Sequence, residues 1–423
     1  MIVENNIELW YYIIEYLCEN GGSMKVLMIN KFLYPNGGSE TYLFKLGEYL
    51  SEKGHSVEYF GMEHEGRKVG NSADSYTKDM DFHGGSVFSK LTYPIKTIYS
   101  FDARKRIRAV LEKFDPDVCH LNNFNFQLTP SIILEIDDWR KKTGKKCKIL
   151  YTAHDGQLVC PNHLMQNPIT GEKCQKCFGG KFINCLKGKC IHSSSLKSLI
   201  GAMEGYYWNS RKVYSKIDTV IAPSEFIADC LLSNPIFKDK TVVLNNFTDS
   251  HKNSSQQEKD DYVLYFGRYS KEKGIGTFLE SVDRLPFIKF VFAGNGPLKE
   301  EIDKRENAFD KGFLEQEQLI ELISKAKFTV IPSECYENCP FSVIESQICA
   351  TPVLGARIGG IPELIRENET GELFESGNTD ELTEKIKSLF TDEAKLKKYS
   401  ENCKECDFIT TEKYYEKLIG LYS

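Results

Sequence analysis

The segment Lys25-Val-Leu-Met-Ile-Asn30 is an apolar run typical of a buried parallel β-strand. A glycine-containing loop follows at 34–39, and an amphipathic pattern then predicts a helix over 40–53. Gly54 is predicted to cap that helix, and a second strand is predicted at 56–60. Strand, helix and strand in this order form a βαβ unit, which predicts a parallel sheet.

The same pattern continues to residue 246 and restarts at residue 261. Further strands are predicted at 117–121, 147–152, 219–222 and 242–244, then at 262–266, 289–293, 328–332 and 351–355. Helices in the second half are predicted at 276–284, 317–326 and 341–348. We therefore predict an α/β chain with two doubly wound, Rossmann-like domains, 24–246 and 261–405, joined by a polar linker, 247–260. Ligands of such sheets bind beyond the carboxyl ends of the strands, so a site is expected in a cleft between the domains.

Composition excludes several classes of protein. The 423 residues are 41% hydrophobic and 27% charged, with a formal net charge of -6, which is typical of a globular enzyme and does not favour a nucleic-acid partner. No apolar run reaches the roughly 20 residues of a spanning helix, and the N-terminus lacks a signal-peptide pattern, so we expect a cytoplasmic protein. Residues 1–23 are interpreted as an N-terminal extension or fused segment, or equally as a native helix packed on the body.

The most informative segment for function is Glu337-Asn-Cys-Pro-Phe-Ser-Val-Ile-Glu345. It places two acids eight positions apart where a predicted strand ends and a helix begins. Unpaired N–H groups and a partial positive charge at a helix start suit sugar hydroxyls and phosphate. Two solvated or capping acids are the alternative interpretation.

With Ile331-Pro332-Ser333 before it and Gly359-Gly360-Ile361-Pro362-Glu363 after it, this segment resembles the E-x7-E signature of family 4 GT-B glycosyltransferases. The resemblance covers nearly all of residues 24–423. It implies a GT-B architecture, a C-terminal helix, 406–423, that crosses back to the first domain, and sugar transfer with retention of configuration from a UDP- or GDP-sugar. A glycan or lipid-linked acceptor, surface polysaccharide assembly and no catalytic metal are further expectations from the family.

The resemblance also implies roles for individual residues. Glu345 is expected to bind the donor ribose, and Glu337 the transferred sugar. The backbone of the residues between them completes the predicted donor site; these residues are Asn338, Cys339, Pro340 and Phe341. Base contacts are expected from the backbone of Gly312, Phe313 and Leu314, which leaves the identity of the base open.

A second motif is Gly267-Arg268-Tyr-Ser-Lys-Glu-Lys273-Gly274, which directly follows a predicted strand. Cleaving a nucleotide-sugar bond leaves a diphosphate with growing negative charge, which fixed cations stabilise. Arg268 and Lys273 fit this role and match the family pattern G-R-x4-K-G. Lys271 could substitute for Lys273, but the pattern favours Lys273. A solvated basic loop would not require the flanking glycines.

In the first domain, Gly37 and Gly38 lie at the first strand-to-helix junction, where their backbone N–H groups can approach a phosphate. The resemblance implies that they contact the donor phosphate or the acceptor. His154 ends a predicted strand, and the resemblance implies that it contacts the donor sugar as a catalytic group. A structural histidine is the alternative. His120 and Asn122 are predicted to line the acceptor side.

Five cysteines lie within 31 residues: Cys160, Cys174, Cys177, Cys185 and Cys190. Four thiolates on one loop can close a tetrahedral zinc site, and Cys174 and Cys177 have the spacing of a zinc knuckle. We predict a structural zinc ion in this insertion, 160–190, with free or exchangeable thiols as the alternative.

A basic amphipathic stretch, 90–113, interleaves lysines and arginines with apolar residues. A solvated helix face and contact with an anionic membrane at the inner face of the plasma membrane remain alternative interpretations.

Two alternatives to a glycosyltransferase also remain. One is a non-catalytic nucleotide-sugar-binding or metal-responsive scaffold, and the other is a nucleotide-sugar 2-epimerase.

Overall fold

The computed structural model describes residues 22–78, 96–248 and 258–423. The chain divides into two compact units. The first contains the described residues up to Pro223 together with Ile227–Leu244 and Thr411–Ser423, and the second contains Ser224–Phe226 and Asn245–Thr410. The interpretation of residues 1–21 lies outside the described residues.

The first unit is built on a six-stranded sheet in the order β2-β1-β3-β4-β5-β6, with every pair parallel. Its strands are β1 (Lys25–Ile29), β2 (Ser56–Phe60), β3 (Val118–Leu121), β4 (Lys148–Thr152), β5 (Thr219–Ala222) and β6 (Thr241–Val243). All four residues of β3 are buried, as expected for a strand covered by helices on both faces.

The helices of this sheet begin with α1 (Gly38–Glu52), which ends before Gly54 in the left-handed conformation predicted for its cap. The others are α2 (Phe101–Phe114), α3 (Ser131–Thr143), α4 (Ile183–Lys187), α5 (Ser195–Ser210) and α6 (Glu225–Leu232). Short 3-10 turns lie at Phe178–Gly180, Val213–Lys216 and Pro235–Phe237.

The second unit repeats this design with a parallel sheet in the order β12-β11-β10-β7-β8-β9. Its strands are β7 (Val263–Arg268), β8 (Phe290–Asn295), β9 (Ala308–Asp310), β10 (Phe328–Ile331), β11 (Val353–Ala356) and β12 (Gly371–Phe374). The sequence patterns missed β9 and β12. The first is three residues long, and the second contains a buried acid, Glu372, whose carboxylate is paired with Lys385 and Lys395.

The remaining helices are α7 (Ile275–Arg284), α8 (Lys299–Asp303), α9 (Gln316–Lys325), α10 (Phe341–Ile348), α11 (Ile361–Leu364), α12 (Thr379–Thr391), α13 (Glu393–Cys403) and α14 (Thr411–Tyr422). A 3-10 turn at Lys271–Lys273 precedes α7. No helix in the described part of the chain is long and apolar enough to cross a membrane.

Candidate active site

The second sheet brings the two motifs of the second unit to one edge. Arg268 ends β7, and Glu337 lies in the loop that follows β10. These strands pair with each other in parallel, so their carboxyl ends point the same way. This is the edge at which doubly wound sheets bind ligands.

Lys273 and Glu337 form the central charge pair of this edge. Lys273 Nζ lies 2.6 Å from Glu337 Oε1, and the Ser333 hydroxyl donates to the same oxygen at 2.7 Å. Burial alone would lower the pKa of Lys273, but the Glu337 carboxylate raises it above its ordinary value. The lysine therefore stays charged and fixed at neutral pH.

Arg268 differs from Lys273 because its side chain is exposed and makes no ion pair or hydrogen bond within the described residues. Its backbone is nevertheless anchored, since the Tyr265 hydroxyl donates to the Arg268 carbonyl at 2.8 Å. The strand end is thus fixed while the guanidinium can meet an anion.

Gly274 is required by close packing at this turn. Its φ is +71°, and a Cβ atom would lie 1.8 Å from the carbonyl oxygen of Pro332. The glycine after Lys273 therefore lets the turn approach the loop that carries Glu337.

Gly359 and Gly360 have the same role on the other side of that loop. Cβ atoms at these positions would lie 2.1 Å from the Glu337 carbonyl oxygen and 1.8 Å from that of Asn338. The Gly360 N–H donates to the Glu337 carbonyl at 2.8 Å. The Gly-Gly pair of the sequence motif thus supports the backbone of the acidic loop.

The segment after Glu337 is held from several sides. Ser224 donates to the side-chain oxygen of Asn338 at 2.6 Å, and Asn246 donates to the carbonyl of Cys339 at 2.7 Å. Burial raises the pKa of the Cys339 thiol to about 12. The thiol therefore stays protonated, and the side chain packs in the interior. Pro340 precedes α10 and has no backbone N–H. The predicted backbone N–H contacts to the donor must therefore come from its neighbours.

Helix α10 carries the second acid of the signature. Glu345 is half-buried, and its backbone carbonyl accepts the Cys349 N–H at 3.2 Å. Pro340 offers no side-chain cap, so the first N–H groups of the helix, at Phe341 and Ser342, have no side-chain partner there. An uncapped helix start suits an anionic or hydroxyl ligand.

The predicted base-contact segment follows β9. Gly312 has a φ of +66°, and its N–H donates to Asp310 Oδ1 at 2.8 Å. Phe313 is 78% exposed, whereas Leu314 packs against the core of the second unit. The Phe313 ring therefore faces solvent at this glycine turn. Only backbone contacts were predicted from this segment.

In the first unit, His154 follows β4 and its Nε2 lies 2.8 Å from Asn122 Oδ1. The Asn122 amide nitrogen faces the carbonyls of Ile29 and His120, which fixes its oxygen as the acceptor from His154. Burial lowers the pKa of His154 to about 3. The imidazole is therefore neutral with its proton on Nε2, which leaves Nδ1 as an acceptor.

The prediction that His120 lines an acceptor site is wrong. Its side chain is fully buried, with Nδ1 2.7 Å from the Tyr422 hydroxyl and Nε2 2.7 Å from Thr152 Oγ1. The Tyr42 hydroxyl lies 3.2 Å from the same threonine oxygen and 2.7 Å from the Tyr414 hydroxyl. His120 thus belongs to a buried polar network to which α14 contributes two tyrosines.

Asn122 is likewise fully buried and its Oδ1 accepts a hydrogen bond from His154, which is at odds with its predicted place on the acceptor side. The Gly37–Gly38 turn adjoins another network that the sequence interpretation missed. Glu40, buried in the first turn of α1, accepts hydrogen bonds from Asn30 at 2.9 Å and Ser39 at 3.0 Å. A carboxylate at a helix N-terminus is favoured by the helix dipole.

The five cysteines of the insertion lie close enough to influence one another electrostatically. Burial raises the pKa of Cys160 to about 11 and that of Cys177 to about 12. Across residues 22–78, 96–248 and 258–423, no three His, Cys, Asp or Glu side chains are grouped to hold a metal ion. The zinc site stays a prediction.

The basic stretch is described from residue 96, and Lys90 lies outside the described residues. Helix α2 buries its apolar face, including Ile107 and Val110, in the first unit. Arg104 and Arg108 both pair with Glu135. The structure therefore favours the alternative of a solvated helix face over a membrane-binding helix.

Comparisons with known proteins agree with this architecture. The family model described as Glycosyltransferase Family 4 matches residues 36–252, and the model described as Glycosyl transferases group 1 matches residues 246–405. The uncharacterized 42.6 kDa protein in the cps region of Klebsiella pneumoniae is 24% identical over 371 residues, covering 81% of this chain and 88% of that protein.

Two solved structures show the same fold. Sucrose-phosphate synthase from Thermosynechococcus elongatus has a TM-score of 0.66 at 17% identity, covering 94% of this chain and 98% of that one. Anabaena HepE in complex with UDP and glucose has a TM-score of 0.62 at 14% identity, with coverage of 94% and 99%. With its two six-stranded parallel sheets and both family models matched, the chain belongs to glycosyltransferase family 4 and has the GT-B fold.

Proposed function

We propose that this glycosyltransferase transfers a sugar, with retention of configuration, from a nucleotide-diphosphate sugar to a glycan or lipid-linked glycan acceptor. The observation that carries the proposal is the grouping of Lys273, Glu337 and Arg268 at the carboxyl edge of one sheet. One cation is already fixed by a carboxylate, and the other is exposed. Such a pair suits a diphosphate that gains negative charge as the glycosidic bond breaks.

The remaining roles in this proposal are those that the family resemblance implies. Glu337 faces the transferred sugar, Glu345 binds the ribose, and His154 accepts a hydrogen bond from a sugar hydroxyl through Nδ1. Arg268 and Lys273 supply the positive charge that a divalent cation supplies in other transferases, so we propose metal-independent transfer.

The donor is proposed to be a UDP- or GDP-sugar. HepE, which shares the fold, was solved with UDP and glucose. The Klebsiella relative from a cps region supports surface polysaccharide assembly as the process.

A donor screen tests the proposal. Release of nucleoside diphosphate is followed from UDP-, GDP- and ADP-sugars, with wild type beside Arg268→Ala and Glu345→Ala. Lys271→Ala is the matched control, since Lys271 is exposed in the same turn but outside the proposed contacts. Release from one donor that is lost in both site variants and kept in the control is expected.

Two other results would redirect the assignment. Donor binding without turnover would favour the non-catalytic scaffold. Conversion of the donor to its 2-epimer, without transfer, would favour the epimerase. Added chelator is expected to leave the rate unchanged, and NMR of the anomeric proton of the product tests retention.

A further inference from the structure

Helix α5 exposes a continuous apolar stripe. Leu196, Leu199, Met203 and Tyr206 recur at helical spacing, so they lie on one face of the helix. Their exposed fractions are 65%, 38%, 52% and 44%. Four large side chains aligned in this way differ from the single exposed hydrophobic residues that are common on protein surfaces.

The opposite face of α5 is packed tightly, so the exposure does not reflect a loose helix. A Cβ atom at Gly201 would lie 2.3 Å from Ile191 Cδ1, and one at Gly205 would lie 2.9 Å from Phe182. Trp208 is fully buried, and its indole donates to the Ile98 carbonyl at 3.0 Å. The helix is anchored on one side and presents the stripe on the other.

The stripe extends onto the cysteine-rich insertion. Ile183, at the start of α4, is 42% exposed, and its N–H donates to the Tyr206 hydroxyl at 3.2 Å. The insertion has its own small core around Phe182 and Cys185, against which α5 packs. We define the docking face as Ile183 together with the four stripe residues.

The exposed charged side chains in the segment that carries this face are lysines, since Glu204 is buried. Between residues 173 and 203 the chain contains six lysines and neither Asp nor Glu. All six lysine side chains are exposed: Lys173, Lys176, Lys181, Lys187, Lys189 and Lys197. An exposed apolar stripe within a lysine-rich segment is typical of a surface that lies in the interface of an anionic bilayer.

We propose that this face docks the enzyme on an anionic lipid surface, with α5 lying along the membrane. The stripe would enter the boundary between headgroups and acyl chains, and the lysines would meet anionic headgroups. A second copy of the chain is a poor occupant, because two faces of the same charge repel each other. The proposal does not depend on the identity of the donor.

Vesicle sedimentation of the full chain tests it. Vesicles of phosphatidylcholine with phosphatidylglycerol are compared with vesicles of phosphatidylcholine alone, at low and high salt. We expect binding to the anionic vesicles that weakens with salt. Leu196→Glu with Met203→Glu, and separately Lys187→Glu with Lys189→Glu, should each weaken binding about tenfold or more.

Matched controls lie in the second unit. Phe287 is 62% exposed, and Lys397 and Lys398 are exposed lysines on α13. Phe287→Glu, and Lys397→Glu with Lys398→Glu, should leave vesicle binding unchanged. Thermal unfolding verifies that each variant is folded.

The proposal is overturned by no binding of wild type to anionic vesicles, by equal loss in the controls, or by binding that the stripe and lysine variants retain. Self-association through α5 without vesicle binding would also overturn it, in favour of a dimer interface. The donor screen in vesicle-free solution is a separate readout, so a failed docking proposal is distinguishable from a failed transferase proposal.

Discussion

Replacing Lys273 with alanine is expected to reduce catalysis far more than stability. Lys273 Nζ lies 2.6 Å from Glu337 Oε1, and the glutamate side chain is 13% exposed. Removing one fixed cation that faces developing charge lowers kcat/KM by about 10²–10³, which corresponds to about 3–4 kcal/mol of transition-state stabilisation.

The cost in folding free energy is smaller. The Coulomb attraction at this distance is about 6 kcal/mol for an effective dielectric constant of about 20, but desolvation and screening offset most of it. Ser333 continues to donate to the carboxylate in the variant. We therefore expect the free energy of unfolding to fall by about 1–2 kcal/mol.

The pKa of Lys273 is raised in the folded state, so its stabilising contribution is complete below the unfolded pKa. That contribution is lost only as pH rises through the raised value, in the strongly alkaline range. Titration of Lys273 should therefore not change activity or stability near neutral pH.

The assay combines nucleoside diphosphate release with urea unfolding of the same preparations. Lys271→Ala controls for loss of a lysine from the same turn, and Lys273→Arg tests whether charge alone suffices. The reasoning is refuted if kcat/KM of Lys273→Ala stays within about threefold of wild type. It is also refuted if the loss disappears once rates are divided by the folded fraction.

Four further results are expected. The pH profile of kcat/KM should lack an inflection near the ordinary histidine pKa of about 6.5, because burial lowers the pKa of His154 to about 3. An inflection that is present in wild type and abolished in His154→Ala would contradict this. We propose that the exposed Phe313 ring stacks on the donor base. Phe313→Ala should then raise the donor KM about tenfold with little change in kcat, because such stacking contributes about 1–3 kcal/mol equally to ground and transition states. Glu204→Gln should stabilise the protein by up to about 3 kcal/mol at pH 7, measured by urea unfolding. Burial raises the pKa of Glu204 to about 8, so the wild type loses stability as pH rises from the unfolded pKa towards that value. Elemental analysis of purified protein should find bound zinc, and the double variant Cys174→Ser with Cys177→Ser should lose it. Protein without bound zinc or iron would leave the free-thiol alternative.

Sequence periodicity predicted most of the parallel strands because their residues are buried on both faces. The strand β1 is apolar after Lys25, and β3 is apolar apart from His120; such runs carry a strong signal. The strand β12 has no such signal, because Glu372 interrupts it and is balanced by Lys385 and Lys395 from later in the chain. A pairing over that separation leaves no local pattern.

Motif spacing put Arg268, Lys273 and Glu337 after predicted strands, and the structure brings them to one edge because the carboxyl ends of neighbouring parallel strands lie side by side. His120 shows the limit of this reasoning. It lies one residue before the end of β3, close to the expected edge, yet its side chain is bonded to Tyr422, which lies 302 positions away in sequence. Burial of a polar side chain depends on what covers it, and the covering helix is remote in sequence.

The charge pattern of the second unit suggests why one cation is paired and the other exposed. In the mechanism that we propose, Lys273 is paired with Glu337, and Arg268 supplies the net positive charge that attracts the donor in the ground state. As the sugar departs, the diphosphate gains one more negative charge, and Lys273 can then share its proton donors between Glu337 and the phosphate. Part of the attraction between Lys273 and the diphosphate therefore develops only as the glycosidic bond breaks. This stabilises the transition state more than the bound donor. A carboxylate that competes for Lys273 also limits how tightly the released nucleoside diphosphate is bound, so Glu337→Gln should strengthen product inhibition while it slows transfer.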